Sequence, residues 1–370
     1  MSVGPTVPYC AELHARKYRG PGEDFRGYGN RVANHLKDDD EHYFEFRDTL
    51  LDMRFMPGGR IQSACGSIRQ VTAYNCFVSG AIHDSFVHGS AEEGFRSSIM
   101  GRTSEAATTM RMGGGIGYDF STLRPRGGLI EGLQSRSCGP LGFMPIYSAV
   151  ALATSSTDHR RGAQMGVLRV DHPDIEEFIR AKNNATELRG FNLSIAVTHE
   201  FMEAKAAGRP FPLRFKGTTY RTVDPQALWE LIMRSTWDYA EPGVLYIDTI
   251  NDWNNLWYCE TISATNPCGE QPLPPFGACL LGSFNLVRYV ARLPGGGYWF
   301  DFARLAADVP AVVRAMDNVV DRTIYPLERQ RQEALSKRRM GIGYTGLANA
   351  GEALGHPYGS PGFLEFERVD

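Results

Sequence analysis

Between Thr265 and Pro272 the chain reads Thr-Asn-Pro-Cys-Gly-Glu-Gln-Pro, and no regular element can run through it. Proline fixes φ and lacks an N–H, and glycine weakens helix and strand alike. The stretch must be a loop. Asn266, Cys268 and Glu270 stand two residues apart within it. In extended backbone that spacing turns all three side chains to the same side. Any fold of this chain therefore has to hold an irregular polar loop, and the segments around it have to supply the core.

Those segments are legible. Asp224 is placed to cap a helix with Pro225 at its first position, and Ala227, Leu228, Leu231 and Ile232 form its apolar stripe. His172-Pro173 opens a similar element with Ile175, Phe178 and Ile179 on one face. Val312, Val313, Met316, Val319 and Val320 make a third stripe. Short apolar runs at Phe191 to Val197, Val244 to Ile247 and Leu280 to Leu286 read as buried strands. Helices alternating with such strands predict an α/β fold with parallel strands, in which loops at strand ends carry the chemistry. Arg329 to Arg339 reads as a solvated helix surface leading into Gly341-Ile342-Gly343, and Asp38-Asp39-Asp40-Glu41 as a solvated face or loop.

Composition excludes several classes. A formal net charge of -3 gives no basic footprint for a nucleic-acid polymer. No apolar run reaches transmembrane length, and Met1 to Cys10 has no signal-peptide pattern, so no membrane partner is expected and the cytoplasm is the default. The 7 cysteines are odd in number in a chain of 370 residues, which argues against a disulfide framework. No Cys-x-x-Cys pair and no histidine pair at ligand spacing occurs, so no metal site is expected. Core packing and redox chemistry remain as uses for cysteine.

The loop suits one demanding reaction. A thiol oxidised to a thiyl radical can abstract hydrogen from carbon, a neighbouring carboxylate can take a hydroxyl proton as general base, and an amide can hold adjacent hydroxyls. Replacing hydroxyl by hydrogen also needs two electrons, which two thiols supply by closing to a disulfide. Cys279 follows Cys268 by eleven residues, and Cys76 stands far upstream in Tyr74-Asn75-Cys76-Phe77-Val78. Any single cysteine is more often a small buried hydrophobe. The combination of Asn266-Pro267-Cys268-Gly269-Glu270 with Cys279-Leu280-Leu281-Gly282-Ser283-Phe284-Asn285-Leu286 is much harder to obtain by chance.

In these motifs the sequence resembles the catalytic subunit of ribonucleotide reductases, over roughly residues 50 to 355. The resemblance implies part of a ten-stranded α/β barrel of the ribonucleotide reductase and glycyl-radical type with a catalytic finger loop. Residues 1–50 would form a short helical segment and 51–370 the barrel domain, its second half incomplete. It implies that Cys268 carries the thiyl radical, Glu270 is the base at the 3′ hydroxyl, and Asn266 binds the substrate hydroxyls. Cys76 and Cys279 would be the reducing pair. Cys65, also eleven residues from Cys76, falls outside the family's pattern, and Cys10, Cys65, Cys138 and Cys259 read as core or loop packing. Gly115, in the run Gly113 to Gly117, and Asn75 match substrate contacts.

The family selects its substrate through a bound deoxynucleotide or ATP effector. Asp84, Ser85 and Arg124 match effector positions, and Asp158 to Met165, with Arg160 and Arg161, resembles the loop that relays effector identity. Arginines in glycine-rich loops fit phosphate recognition. The wording of the Cys268 loop is most like that of adenosylcobalamin-dependent enzymes. No Arg-Val-x-Gly-Tyr glycyl-radical segment is present, and some metal-dependent relatives share the remaining features. The resemblance further implies a ribonucleotide substrate, diphosphate being commoner among similar enzymes, a thioredoxin- or glutaredoxin-like reductant, and a homodimer. After Ala353-Leu354-Gly355 the family continues through a second half-barrel. A split gene with a second polypeptide, a fragment, or an unusually small member would each account for this. The competing functional readings are a large subunit that needs a metal-radical partner, a nucleotide-binding fragment inactive without the missing half, and a two-electron thiol oxidoreductase.

Overall fold

A computed structural model describes residues 3–87, 92–154, 162–183 and 188–368. Two compact units emerge, and each is built from separate stretches of chain. One comprises Cys76–Ala278 with Pro326–Glu333. The other comprises Met1–Asn75, Cys279–Tyr325 and Ala334–Asp370.

In the Cys76–Ala278 unit the strands Cys76–Val78, Gly115–Asp119, Gln164–Arg169, Phe191–Val197 and Gly243–Tyr246 lie side by side, every neighbouring pair parallel. Parallel strands covered on both faces need near-continuous apolar runs. Phe77, Ile116, Tyr118, Val167, Leu168, Phe191 and Ile195 supply them and are all buried. The expected α/β arrangement is therefore present. Helices connect the strands. Ile99–Arg111 begins where Ser98 accepts from the Gly101 N–H, and Pro140–Thr154 is tied to it by the Tyr147 hydroxyl, which donates to the Ile99 carbonyl at 2.9 Å. Pro225–Tyr239 starts at the expected Asp224 cap, whose carboxylate accepts from the Gln226 N–H.

Element ends differ slightly from expectation. The strand read as Val244 to Ile247 spans Gly243–Tyr246, and Ile247 opens the short helix Ile247–Asp252. The helix after His172-Pro173 spans Ile175–Arg180. The Asp174 carboxylate just before it accepts instead from the Arg126 N–H, at 2.8 Å.

In the other unit, the helices Pro8–Tyr18, Phe25–Leu36 and Asp40–Leu51 precede the strand Phe55–Pro57. That strand pairs antiparallel with Ala278–Asn285, which pairs parallel with Met340–Thr345 on its other side. The long helix Phe302–Arg322 buries Val312, Ala315, Met316, Val319 and Val320, the stripe read from the sequence with Ala315 added and Val313 left partly exposed. The buried Arg54 guanidinium pairs with Asp308, and the Tyr289 hydroxyl donates to the same carboxylate at 2.8 Å.

Two charged stretches are more engaged than a solvated face would be. Asp39 caps the Asp40–Leu51 helix, and Asp38 accepts from Asn318 Nδ2 at 2.8 Å and pairs with Arg314. Within the Arg329 to Arg339 segment, Gln330 is buried, and Arg338 donates to Asp317 at 2.8 Å and to Asp321 at 2.9 Å. Position in the fold, not composition, decides these partners. No helix among the described residues is long and apolar enough to cross a membrane.

Candidate active site

The irregular segment is the tip of a short hairpin. Ala264–Thr265 and Pro272–Leu273 pair antiparallel, with Ala264 opposite Leu273 and Thr265 opposite Pro272. The turn between them closes on itself. The Asn266 N–H donates to the Gln271 carbonyl at 3.1 Å, and the Gly269 N–H donates to the Asn266 carbonyl at 3.1 Å with Gly269 at φ 85°. The left-handed backbone explains the glycine.

Asn266 is completely buried, and both ends of its amide are engaged. Its Oδ1 accepts from the Gln271 N–H at 2.9 Å, and its Nδ2 donates to Glu270 Oε2 at 2.6 Å. The residue expected to hold substrate hydroxyls thus aims the Glu270 carboxylate in this state. Cys268 is exposed at the tip, whereas Cys76 is buried on the strand Cys76–Val78. The side-chain oxygen of Gln271 is buried and has no hydrogen-bond partner among the described residues.

The glycine run is what lets the hairpin lie where it does. A Cβ on Gly115 would sit 2.7 Å from Pro267 Cγ, and one on Gly117 would sit 1.7 Å from the Thr265 carbonyl oxygen. The backbone approach that the glycines signal is made to the finger itself. Gly115 also pairs with Cys76 across the sheet. The strand carrying one expected redox cysteine is therefore in register with the strand that seats the Cys268 loop.

Two residues that the sequence did not single out complete the seat. Asn192 Nδ2 donates to the Pro267 carbonyl at 2.7 Å. Asp119 Oδ1 accepts from the Ser121 N–H at 2.9 Å, and its carboxylate also accepts from the Ser263 side chain, just before the finger. Burial pushes the Asp119 carboxyl above its ordinary range, against the pull of these hydrogen bonds and of Arg169. The available signal was a polar residue interrupting or ending an apolar strand run.

Asn75 and Cys279 belong to the other unit. Asn75 lies beside the Pro57-Gly58 turn, its Nδ2 3.3 Å from where a Gly58 Cβ would stand. Cys279 is buried near the start of Ala278–Asn285. Of the remaining cysteines, Cys65 is buried, with its thiol pushed up to about 12 by that burial, while Cys10, Cys138 and Cys259 are exposed.

The expected effector residues also meet. Arg124 donates from its N–H to Asp84 Oδ1 at 3.1 Å, from Nε to Asp84 Oδ2 at 2.8 Å and from Nη1 to the Leu129 carbonyl at 2.6 Å. They border a cavity of about 400 Å³. Ser85 follows Asp84, and its backbone carbonyl accepts from the Ile99 N–H at 3.0 Å. Arg160 and Arg161 lie outside the described residues.

The family model for the ribonucleotide reductase barrel domain matches residues 75–369. The chain belongs to the ribonucleotide reductase family. Among curated relatives it is 32% identical, over 329 residues, to a vitamin B12-dependent ribonucleoside-diphosphate reductase of Thermoplasma acidophilum, a match covering 88% of this chain and 41% of that protein. A protein of the same description from Mycobacterium tuberculosis is 35% identical over 329 residues, covering 85% of this chain and 44% of that one. The ribonucleoside-diphosphate reductase subunit alpha of Chlamydia muridarum is 24% identical over 370 residues, covering 90% and 34%. The chain thus spans about two fifths of the length of the first two reductases. The matched reductase domain includes the finger, its glycine seat and the Asp84–Arg124 pair.

Proposed function

We propose that this chain carries the catalytic finger of a ribonucleotide reductase that converts ribonucleoside diphosphates to 2′-deoxyribonucleotides. The observation that carries the reading is the Asn266–Glu270 hydrogen bond of 2.6 Å in a turn whose tip holds the exposed Cys268. A Cys268 thiyl radical takes the 3′ hydrogen atom, and Glu270 takes the 3′ hydroxyl proton. The 2′ hydroxyl then leaves as water with a thiol proton. Cys76 and Cys279 supply two electrons and become a disulfide, Glu270 returns its proton to the 3′ oxygen, and Cys268 returns its hydrogen atom to the 3′ carbon. Atoms and electrons balance as one hydroxyl and two thiols giving one C–H, one water and one disulfide. A thioredoxin- or glutaredoxin-like dithiol then restores the pair.

Adenosylcobalamin, when bound, supplies the oxidant that creates the Cys268 radical. Cys268 stands exposed at the finger tip, its thiol open to a radical donor. The vitamin B12-dependent relatives favour this cofactor over a metal-radical subunit. The chain's own part is to hold the thiol at the finger tip and the Glu270 carboxylate two residues away. Asp84 and Arg124 form the effector site for a deoxynucleotide or ATP, in a homodimer. The strand Met340–Thr345 pairs, among the described residues, with Ala278–Asn285 alone. That edge supports a further polypeptide segment completing the barrel.

A single turnover without external reductant tests the scheme. Peptide mapping after incubation with substrate should show a Cys76–Cys279 disulfide in proportion to deoxynucleotide formed. Product formed with both thiols still alkylatable would remove the reducing pair.

A further inference from the structure

The strands Phe211–Phe215 and Thr218–Val223 pair with Phe215 opposite Thr218, so Lys216 and Gly217 alone make the turn. Their φ angles are 47° and 81°. Two positive φ values in a two-residue hairpin turn match the right-handed twist of the strands, and the first position favours Asn, Asp or Gly. A lysine there is held at a conformational cost, which invites a functional explanation.

The hairpin is anchored so that this lysine overhangs the cavity of about 400 Å³. The Arg214 N–H donates to the Asp171 carbonyl at 2.6 Å. The Phe215 ring packs edge-on to His172, centroids 5.9 Å apart. His172 Nδ1 accepts from the Asp174 N–H at 3.1 Å, which leaves Nε2 to carry the hydrogen and donate to the Leu123 carbonyl at 3.0 Å. Leu123 precedes Arg124, so one buried imidazole joins the hairpin to the arginine loop.

The cations of the cavity are not equivalent. Arg124 directs donors to both oxygens of Asp84 and to the Leu129 carbonyl. Lys216 is 69% exposed at its side chain, and its Nζ stands 3.9 Å from Asp84 Oδ2, beyond hydrogen-bond distance. Phe215 and Tyr220 add aromatic walls beside it. The volume lies in the range of small-ligand pockets.

We propose that Lys216 is a phosphate-binding residue of this cavity, its ammonium passing from Asp84 to a phosphate oxygen of a bound nucleoside triphosphate. Arg124 stays on Asp84 as the fixed part of the site, and the hairpin turn is the part that responds to the phosphates. This rests on the effector reading of Asp84 and Arg124.

The test is equilibrium titration of the whole chain with dATP and with deoxyadenosine, at two salt concentrations. Lys216→Asn keeps a residue suited to the turn and removes the charge; Lys216→Arg keeps the charge; Arg124→Ala probes the effector reading. Loss of one charge-assisted contact predicts about tenfold weaker dATP binding and a shallower salt dependence for Lys216→Asn. Lys216→Arg should bind as wild type does, and deoxyadenosine should bind equally to both Lys216 variants and to wild type. Unchanged dATP affinity in Lys216→Asn, with loss in Arg124→Ala, would overturn the lysine's role and leave the effector site standing. Absence of dATP binding by wild type, or equal binding by every variant, would overturn both.

Discussion

Replacing Gly117 by alanine would put a methyl carbon 1.7 Å from the Thr265 carbonyl oxygen, where real Cβ contacts essentially never fall below 3.0 Å. One partner must therefore retreat by at least ~1.3 Å. The strand cannot easily do so. Gly117 pairs with Val78 on one side and Met165 on the other, and its carbonyl accepts from the Ser79 N–H at 2.8 Å. The finger has to move. Overpacking of this kind costs about 1–3 kcal/mol, a few degrees of melting temperature for a chain of this size. A displacement of about 1 Å at a catalytic group costs on the order of 100-fold in rate. Gly115→Ala should be milder, since its Cβ would meet a proline ring atom, Pro267 Cγ, at 2.7 Å. Thermal unfolding gives the first readout. The second is the alkylation rate of Cys268 by iodoacetamide, read by peptide mass, which reports finger position without requiring turnover. A Gly117→Ala protein with stability within about 0.5 kcal/mol of wild type and an unaltered Cys268 rate would refute the seating argument.

Asn192→Ala removes the donor to the Pro267 carbonyl at 2.7 Å. It should cost about 1 kcal/mol and speed Cys268 alkylation; an unchanged rate would remove Asn192 from the seat. Arg54→Met leaves the Asp308 carboxylate without its guanidinium, at a cost of about 3–5 kcal/mol, and Arg54→Met with Asp308→Leu should recover most of that in denaturant melts. If the double variant is no better than the single, the buried pair is not the source of the loss. Burial, foremost, lowers the His14 pKa from 6.5 to about 4. The unfolded chain then binds a proton near 6.5 that the folded chain refuses until about 4, so the contribution is full above that window and declines as pH falls through it. Melting temperature measured from pH 7 to 4 should fall more steeply for wild type than for His14→Gln, and parallel curves would contradict this.

The loop, its three side chains and the parallel strands around it were legible because proline and glycine placement and apolar runs are local signals. The Asp224 cap and the strand Phe191–Val197 follow from the same kind of pattern. What was not legible is who meets whom. Glycines in a row announce a close approach, but nothing in them says that the neighbour is Thr265 and Pro267. Asn192 looks like a solvent-facing interruption of a strand until the finger is laid beside it. Asp38 and Arg338 read as solvated charges, yet helix packing brings Asp38 to Arg314, far along the chain, and Arg338 back onto Asp317 of the helix Phe302–Arg322. Asn266 was expected to contact substrate, and its burial and its bond to Glu270 emerge only from the closed turn.

The proposed radical role of Cys268 in ribonucleotide reduction can be measured directly. The direct measurement is 2′-deoxynucleotide formed from a ribonucleoside diphosphate with adenosylcobalamin and a dithiol, together with any polypeptide that completes the barrel, for wild type and Cys268→Ser. Wild type should form product and Cys268→Ser none, because its hydroxyl cannot replace the thiol as hydrogen-atom carrier. Turnover retained by Cys268→Ser would contradict it.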